Sequence, residues 1–258
     1  MKISVITVTF NSLPALQRTA RSVACQDFAD YEYIVVDGAS EDGTRDYLEK
    51  QGIGVSRWVS EPDHGIYEAM NKGAKMAAGD YCLFLNAGDC FVDKTVLTRM
   101  ARQLDGTDLV LGNAVHVDES GTIDGFICSR GGFSLQNLFQ SAICHQATFI
   151  RRELMLSRPY DESIRLVADW KFFLECFLDG TVSRKEVPVD VCFFFAGGAT
   201  DKNLSLGKSE RQSVLDRYPE YRPVWEAPYR PSLAKMVRSK TLYYLSKVKY
   251  AAAIKECL

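Results

Sequence analysis

The chain has 258 residues, 47% of them apolar and 25% charged, with 31 Lys and Arg against 33 Asp and Glu for a net charge of −2. That is the composition of an ordinary globular protein, long enough for one large α/β domain or for a domain with a small appendage. It argues against disorder, gives no global attraction to nucleic acid, and offers no stretch near the roughly 18 to 20 apolar residues that span a bilayer.

Ile3 to Phe10 reads as a strand and not as a signal peptide, because Ser and Thr alternate with its apolar residues and no small-residue cleavage site follows. Asn11 or Ser12 caps a predicted helix to about Gln26, with Pro14 tolerated in its first turn. A second strand over Tyr31 to Asp37 is closed by GASEDG, followed by a short helix over Thr44 to Gln51 and a third strand over Val55 to Ser60. Ile66 to Ala78 is helical and Tyr81 to Asn86 is a fourth strand. Strand and helix alternating in this way predict right-handed crossovers and a mainly parallel sheet covered on both faces. Farther on, Asp93 to Gln103 is helical, and two strands flank the turn DESG between Asp108 and Gly125. Helices over Phe133 to Ser141, Ala168 to Asp179 and Lys208 to Arg217 are separated by strands at Ala147 to Ile150 and Val182 to Phe195.

The segment from Arg230 to Leu258 carries seven Lys or Arg and one acid, which leaves about −8 on the preceding residues. The expected division is a catalytic domain over 1–229 and a basic amphipathic helical extension over 230–258, with Leu233, Val237, Tyr244, Val248 and Ala252 along one face. Such a helix either packs on the domain or contacts an anionic membrane surface. The eight cysteines form no CxxC pair and sit mostly in apolar runs, as reduced core residues of a cytoplasmic protein do.

In an open parallel sheet ligands bind beyond the carboxyl ends of the strands. Those ends carry Thr9, Phe10 and Asn11; then Asp37; then Glu61 and Asp63; then Asn86 and Asp89, four polar termini at one edge. No GxGxxG follows the first strand, and neither a Walker loop nor a GxSxG elbow occurs, which argues against a dinucleotide fold, a P-loop enzyme and an α/β-hydrolase. A nucleotide held by side chains and a metal remains. Asp37 suits the edge of a base, and Asp89 suits a hard divalent cation shared with a diphosphate.

The stretches SVITVTFN, EYIVVDGASEDGT, SEPDHGIYEAMNKG, GDYCLFLNAGD, CHQATFIRREL, DESIRLVADWKFFLEC and FAGGAT resemble, in order and spacing, the family 2 glycosyltransferases of the GT-A fold, near the bacterial enzymes that build surface polysaccharides. The resemblance implies an α/β, GT-A-like sheet and transfer of a sugar, with inversion, from a nucleotide-sugar donor to a glycan or lipid-linked acceptor; the expected place is the cytoplasm, and the membrane reading of the basic tail would put the enzyme on the inner face of a plasma membrane. It implies donor-nucleotide contacts for Thr9, Asn11, Asp37, Asp63, Asn71 and Asn86, and Mg²⁺ or Mn²⁺ at Asp89, although the family's common metal motif has carboxylates where this chain has Asn86 and Gly88. Asp169 becomes the general base, and His145, Gln146 and Trp170 fall on the acceptor side. Two other readings are a non-catalytic sugar-binding or scaffolding protein and a sugar-phosphate nucleotidyltransferase. TFNSLP is not the basic Gly-rich loop of the latter, and the joint presence of Asp37, Asp63, Asp89 and Asp169 favours the enzyme.

Overall fold

The computed structural model describes residues 1–50, 52–118, 120–127, 135–140, 143–198, 202–228, 241, 243, 245 and 247–254. Strand β1 (Ile3–Thr9) is buried along its whole length and β2 (Tyr31–Asp37) almost so, which is why both read as near-continuous apolar runs. Helix α1 (Leu13–Ala24) joins them, α2 (Thr44–Glu49) precedes β3 (Arg57–Ser60), and α3 (Ile66–Met76) precedes β4 (Tyr81–Phe84). β1 pairs in parallel with β2 and with β4, and β2 with β3. The order 3-2-1-4 therefore reverses at β1, and a crevice opens beyond the carboxyl ends of β1 and β4.

The sheet is mainly parallel, as the alternation of strand and helix predicts, and its second half adds antiparallel pairs. Among the described residues β5 (Cys90–Phe91), β6 (Leu109–Val117), β7 (Ile123–Ile127), β8 (Thr148–Arg151) and β9 (Arg184–Phe195) extend the sheet to nine strands, with the short helices α4 (Val96–Ala101), α5 (Leu135–Gln140) and α6 (Arg152–Ser157) between them. Here β8 lies antiparallel between β4 and β6, β7 antiparallel on β6, and β5 antiparallel on β9, while β6 and β9 are parallel. The β6–β7 link is too short for a crossover and so must reverse direction. Its turn is tied by Asp118, whose carboxylate accepts from the Ser120 and Thr122 amides.

Two apolar layers cover the sheet. Leu16, Ala20 and Val23 of α1 pack on one face. On the other lie Tyr67, Met70 and Ala74 of α3 with Phe172, Phe173 and Leu174 of α7 (Ala168–Leu178). Helix α8 (Leu204–Leu215) closes over α7: Glu210 accepts from the Arg165 and Leu166 amides, and the Arg211 guanidinium lies 4.7 Å from the Trp170 ring centroid. In the C-terminal segment the described positions are helical; Tyr250 and Ile254 are buried, and Asp190 accepts from the Tyr250 hydroxyl at 2.6 Å and pairs with Lys249 at 3.0 Å. Positions 230–240 of the expected extension lie outside the described residues.

The polar groups inside the strands separate the two edges of the sheet. At the amino edge Ser4 Oγ donates to Glu32, which also accepts from the Ala78 and Gly79 amides, and in mid-strand Thr7 Oγ1 donates to the Leu85 carbonyl. At the carboxyl edge Thr9 Oγ1 and Asn86 Oδ1 are buried with no hydrogen-bond partner. Buried polar atoms are nearly always paired, so two orphans at one edge single that edge out as a candidate ligand site.

Candidate active site

The loop Asn86–Ala87–Gly88–Asp89 leaves β4 at the crevice and is clasped from α1. Thr19 Oγ1 accepts from the Gly88 amide at 2.9 Å and donates to the Asp89 carbonyl at 2.8 Å. Gly88 sits at φ +110°, a conformation that side chains resist and glycine adopts freely. Asp89 is buried: its carboxylate accepts from Gln146 Nε2 at 3.2 Å and from the Phe195 amide at 3.4 Å. Burial pushes this carboxyl up to about 6, against the opposing pull of His145, the Gln146 and Phe195 hydrogen bonds and Arg18.

That shift has a stability consequence. A carboxyl whose folded value lies above its unfolded one costs stability as the pH rises between the two values, so the metal-free protein loses up to about 3 kcal/mol from below pH 4 to above pH 6. Asp89→Asn is expected to raise the melting temperature relative to wild type at about pH 7.5, with the difference shrinking as the pH falls through 6. Melting curves of both proteins across that range check it; a pH-independent difference would place the Asp89 carboxyl at its ordinary value.

Asp169 stands in the first turn of α7, where the helix dipole favours a carboxylate. One oxygen accepts from the Tyr67 hydroxyl at 2.7 Å and the other pairs with His145 Nδ1 at 2.8 Å. His145 Nε2 lies 3.1 Å from Asn86 Nδ2. Because a carboxylate only accepts, Nδ1 carries the imidazole proton and Nε2 faces the Asn86 amide as acceptor. Burial raises the Asp169 carboxyl, but the hydrogen bonds from His145 and the Tyr67 hydroxyl outweigh it and hold it below its ordinary value. Burial and the neighbouring Asp169 push Tyr67 well above the usual phenol range, so it stays a donor. A chain of polar groups thus runs from α3 through Asp169 and His145 to the loop after β4.

A second cluster lies beyond β1 and β2. Phe10 is 64% exposed, and Gly38 is wedged between it and Asp63: a Cβ on Gly38 would meet Asp63 Oδ2 at 2.7 Å and Phe10 Cδ2 at 3.2 Å. Asp63 accepts from the Gly65 amide at 3.0 Å, and burial pushes its carboxyl up. Asn11, at φ +47°, accepts from the Glu41 amide, and its own amide donates to Ser40 Oγ, which fixes the loop after β2.

The structure brings Thr9, Asn11, Asp63, Asn86, His145 and Asp169 to the crevice and turns four other expected site residues inward. Asp37 is fully buried, its carboxylate accepting from the Ser40 amide and hydroxyl and from Ser60 Oγ, which ties the loop after β2 to β3. The Asn71 amide is spent on the Tyr160 backbone and Glu162, tying α3 to the segment before α7. Gln146 lies buried beneath Asp89. Trp170 is core, 2% exposed, with Nε1 donating to the Leu138 carbonyl at 2.8 Å. Sequence reasoning gave no role to Tyr67 and no separate role to Phe10; an exposed aromatic closing an apolar strand was the available sign for the latter.

Residues 4–154 match the family described as Glycosyl transferase family 2. A PGL/p-HBAD biosynthesis glycosyltransferase of Mycobacterium tuberculosis is 34% identical over 209 residues, covering 78% of this chain and 79% of the relative. The uncharacterized glycosyltransferase YwdF of Bacillus subtilis is 29% identical over 238 residues, covering 88% and 87%. Among solved structures, residues 1–349 of S. aureus TarS in complex with UDP-GlcNAc superpose with a TM-score of 0.63 at 18% identity, covering 87% of this chain and 78% of that one. Of a longer TarS chain 44% is covered, with a TM-score of 0.64. The mannosyltransferase PcManGT of Pyrobaculum calidifontis, in complex with GDP-Man and Mn²⁺, gives 0.60 at 16% identity, covering 99% and 85%. The GT-A fold is common to these structures and this chain.

Proposed function

The chain belongs to glycosyl transferase family 2 and is a glycosyltransferase, and from that premise we propose that it moves a sugar from a nucleoside-diphosphate donor to an acceptor hydroxyl in one inverting displacement, with Asp169 as general base. The observation that carries this reading is the half-buried, ionised Asp169 carboxylate, held by Tyr67 and His145 and linked through His145 to Asn86.

In this reading the base of the nucleotide stacks on Phe10 and meets Asp63, and Thr9 Oγ1 and Asn86 Oδ1 find their missing partners on the donor. Asn11 and Asp37 position the loop that forms one wall. The acceptor hydroxyl approaches Asp169. Its oxygen bonds to the anomeric carbon as the bond to the β-phosphate oxygen breaks; the electron pair leaves with the nucleoside diphosphate and the proton passes to the carboxylate. Each Asp169 oxygen keeps a lone pair for that proton after accepting from Tyr67 or His145.

Among the described residues no group of three or more His, Cys, Asp or Glu forms a metal site. Asn86 Oδ1, buried and unpartnered, and the buried Asp89 carboxylate fit a hard cation only as part of a shared set in which the diphosphate supplies most oxygens. Bound there, Mg²⁺ or Mn²⁺ would neutralise charge on the leaving diphosphate. A lipid-linked acceptor is supported by the tail helix, where Leu245 and Val248 are 59% and 84% exposed while Tyr250 and Ile254 are packed on the domain.

Incubating the protein with a panel of UDP-, GDP- and dTDP-sugars tests the proposal. One nucleotide class is expected to protect against thermal unfolding and to release nucleoside diphosphate. Protection by none, with or without Mn²⁺, would remove the donor site.

A further inference from the structure

The loop after β4 has a cationic neighbour that the mechanism above leaves unused. Arg18 precedes Thr19, the residue that clasps the loop, and its guanidinium lies 4.9 Å from the centroid of Phe195. A Cβ built on Gly88 would stand 3.7 Å from Arg18 Nη2, so the direction in which a side chain at position 88 would project leads to the guanidinium. Arg18 Nε is buried and has no hydrogen-bond partner, and among the described residues Arg18 makes no ion pair. Arg18 is half-buried, and a guanidinium drawn partly out of water normally meets a carboxylate or a phosphate in a planar fork of hydrogen bonds.

The surroundings add positive charge. Arg18 lines a cleft of about 620 Å³ that also carries Arg21 and Lys94, while the acid in that cleft, Asp93, is already paired with Arg99 at 2.9 Å. The loop itself offers one carboxylate, and it is buried. Arg18 pulls on the buried Asp89 carboxyl but makes no ion pair with it, which leaves the guanidinium facing Gly88, a residue without a side chain.

We propose that Arg18 is a diphosphate-binding residue of this chain, its guanidinium donating to phosphate oxygens of the nucleoside diphosphate across Gly88. The proposal rests on the donor-site reading above. In the transfer step, negative charge gathers on the β-phosphate oxygen as the anomeric bond breaks, and the guanidinium stabilises it through hydrogen bonds that need no metal. The loop thereby needs little metal affinity of its own, since the protein supplies part of the positive charge from α1.

Calorimetric titration of the full chain in a metal chelator tests this, with UDP and GDP compared with UMP and GMP. The wild type is expected to bind the diphosphate of its preferred nucleoside more tightly than the monophosphate. Arg18→Met keeps the stem over Phe195 and is expected to lose about 10- to 100-fold in diphosphate affinity, as for a charged hydrogen bond removed, with monophosphate affinity unchanged. Arg18→Lys should recover part of the loss, and Arg21→Met, in the same cleft but away from Gly88, should lose none. Arg18→Met with wild-type melting temperature and wild-type diphosphate affinity in chelator would overturn the proposal. So would a wild type that prefers diphosphate over monophosphate only when Mn²⁺ is present, a result that needs no folded variant. No nucleotide binding by wild type under any condition would instead defeat the donor-site reading itself.

Discussion

Asp169→Asn is expected to lower turnover by about 10² to 10⁴, the contribution of a positioned general base, while nucleotide affinity changes little. Asn matches Asp in shape and still accepts from the Tyr67 hydroxyl through its carbonyl oxygen, but its amide nitrogen has no lone pair for a proton. Facing His145 Nδ1, that amide also meets a donor with a donor, which should turn the imidazole or shift its proton to Nε2. Both effects act on the acceptor side of the crevice; Phe10, Gly38 and Asp63 lie on other elements and should be undisturbed. Steady-state turnover together with calorimetric donor affinity checks the split. A variant retaining more than half of wild-type turnover would remove Asp169 from the chemistry. The pH dependence follows from the same contacts. Because Tyr67 and His145 hold the carboxyl below its ordinary 3.8, the base stays ionised as the pH falls to that value, and no acid limb from this group should appear above it.

Trp170→Ala should cost about 3 to 5 kcal/mol, the usual loss for a large aromatic removed from a packed core, and lower the melting temperature by about 6 to 20 °C for a domain of this size. Trp170 is one residue from the base, yet it points the other way. Its ring is covered by Arg211, its indole nitrogen donates to Leu138, and it belongs to the layer of α3 and α7. Trp170→Phe refills most of the volume and forfeits the indole hydrogen bond, so it should restore most of the stability and leave the acceptor KM near wild type. If Trp170→Phe kept the melting temperature but raised that KM, the indole would face the acceptor after all.

The neighbouring pair Asp169 and Trp170 shows where sequence reading succeeds and where it stops. β1 and β2 were legible because buried parallel strands are apolar runs, and the polar residues that end them stand out against such runs. Asp169 and His145 were legible as chemistry-bearing types at a helix start and at the entry to a core strand. The direction of a side chain was not. Tyr67 and Asn71 are four residues apart on α3 and share a face, yet one hydroxyl reaches Asp169 while the other amide closes on the Tyr160 backbone. Gln146 follows His145 and turns under Asp89 instead of towards the crevice. β5 had no local sign at all, since two residues become a strand only by pairing with Cys192 and Phe193, about a hundred positions later. Arg18 was hidden for a related reason: on the polar side of an amphipathic helix it reads as solvated charge, and only the close approach of the loop after β4 to α1 gives it a different neighbour.

The stereochemistry of the product tests the single-displacement account most directly. With the preferred donor and an accepted hydroxyl compound, the anomeric proton of the transferred sugar can be followed by NMR from the first turnovers, before any equilibration. One carboxylate acting as base on the face opposite the diphosphate predicts an anomeric configuration opposite to that of the donor. A product with the donor's own configuration would require two displacements or a front-face path, and would contradict the role assigned to Asp169.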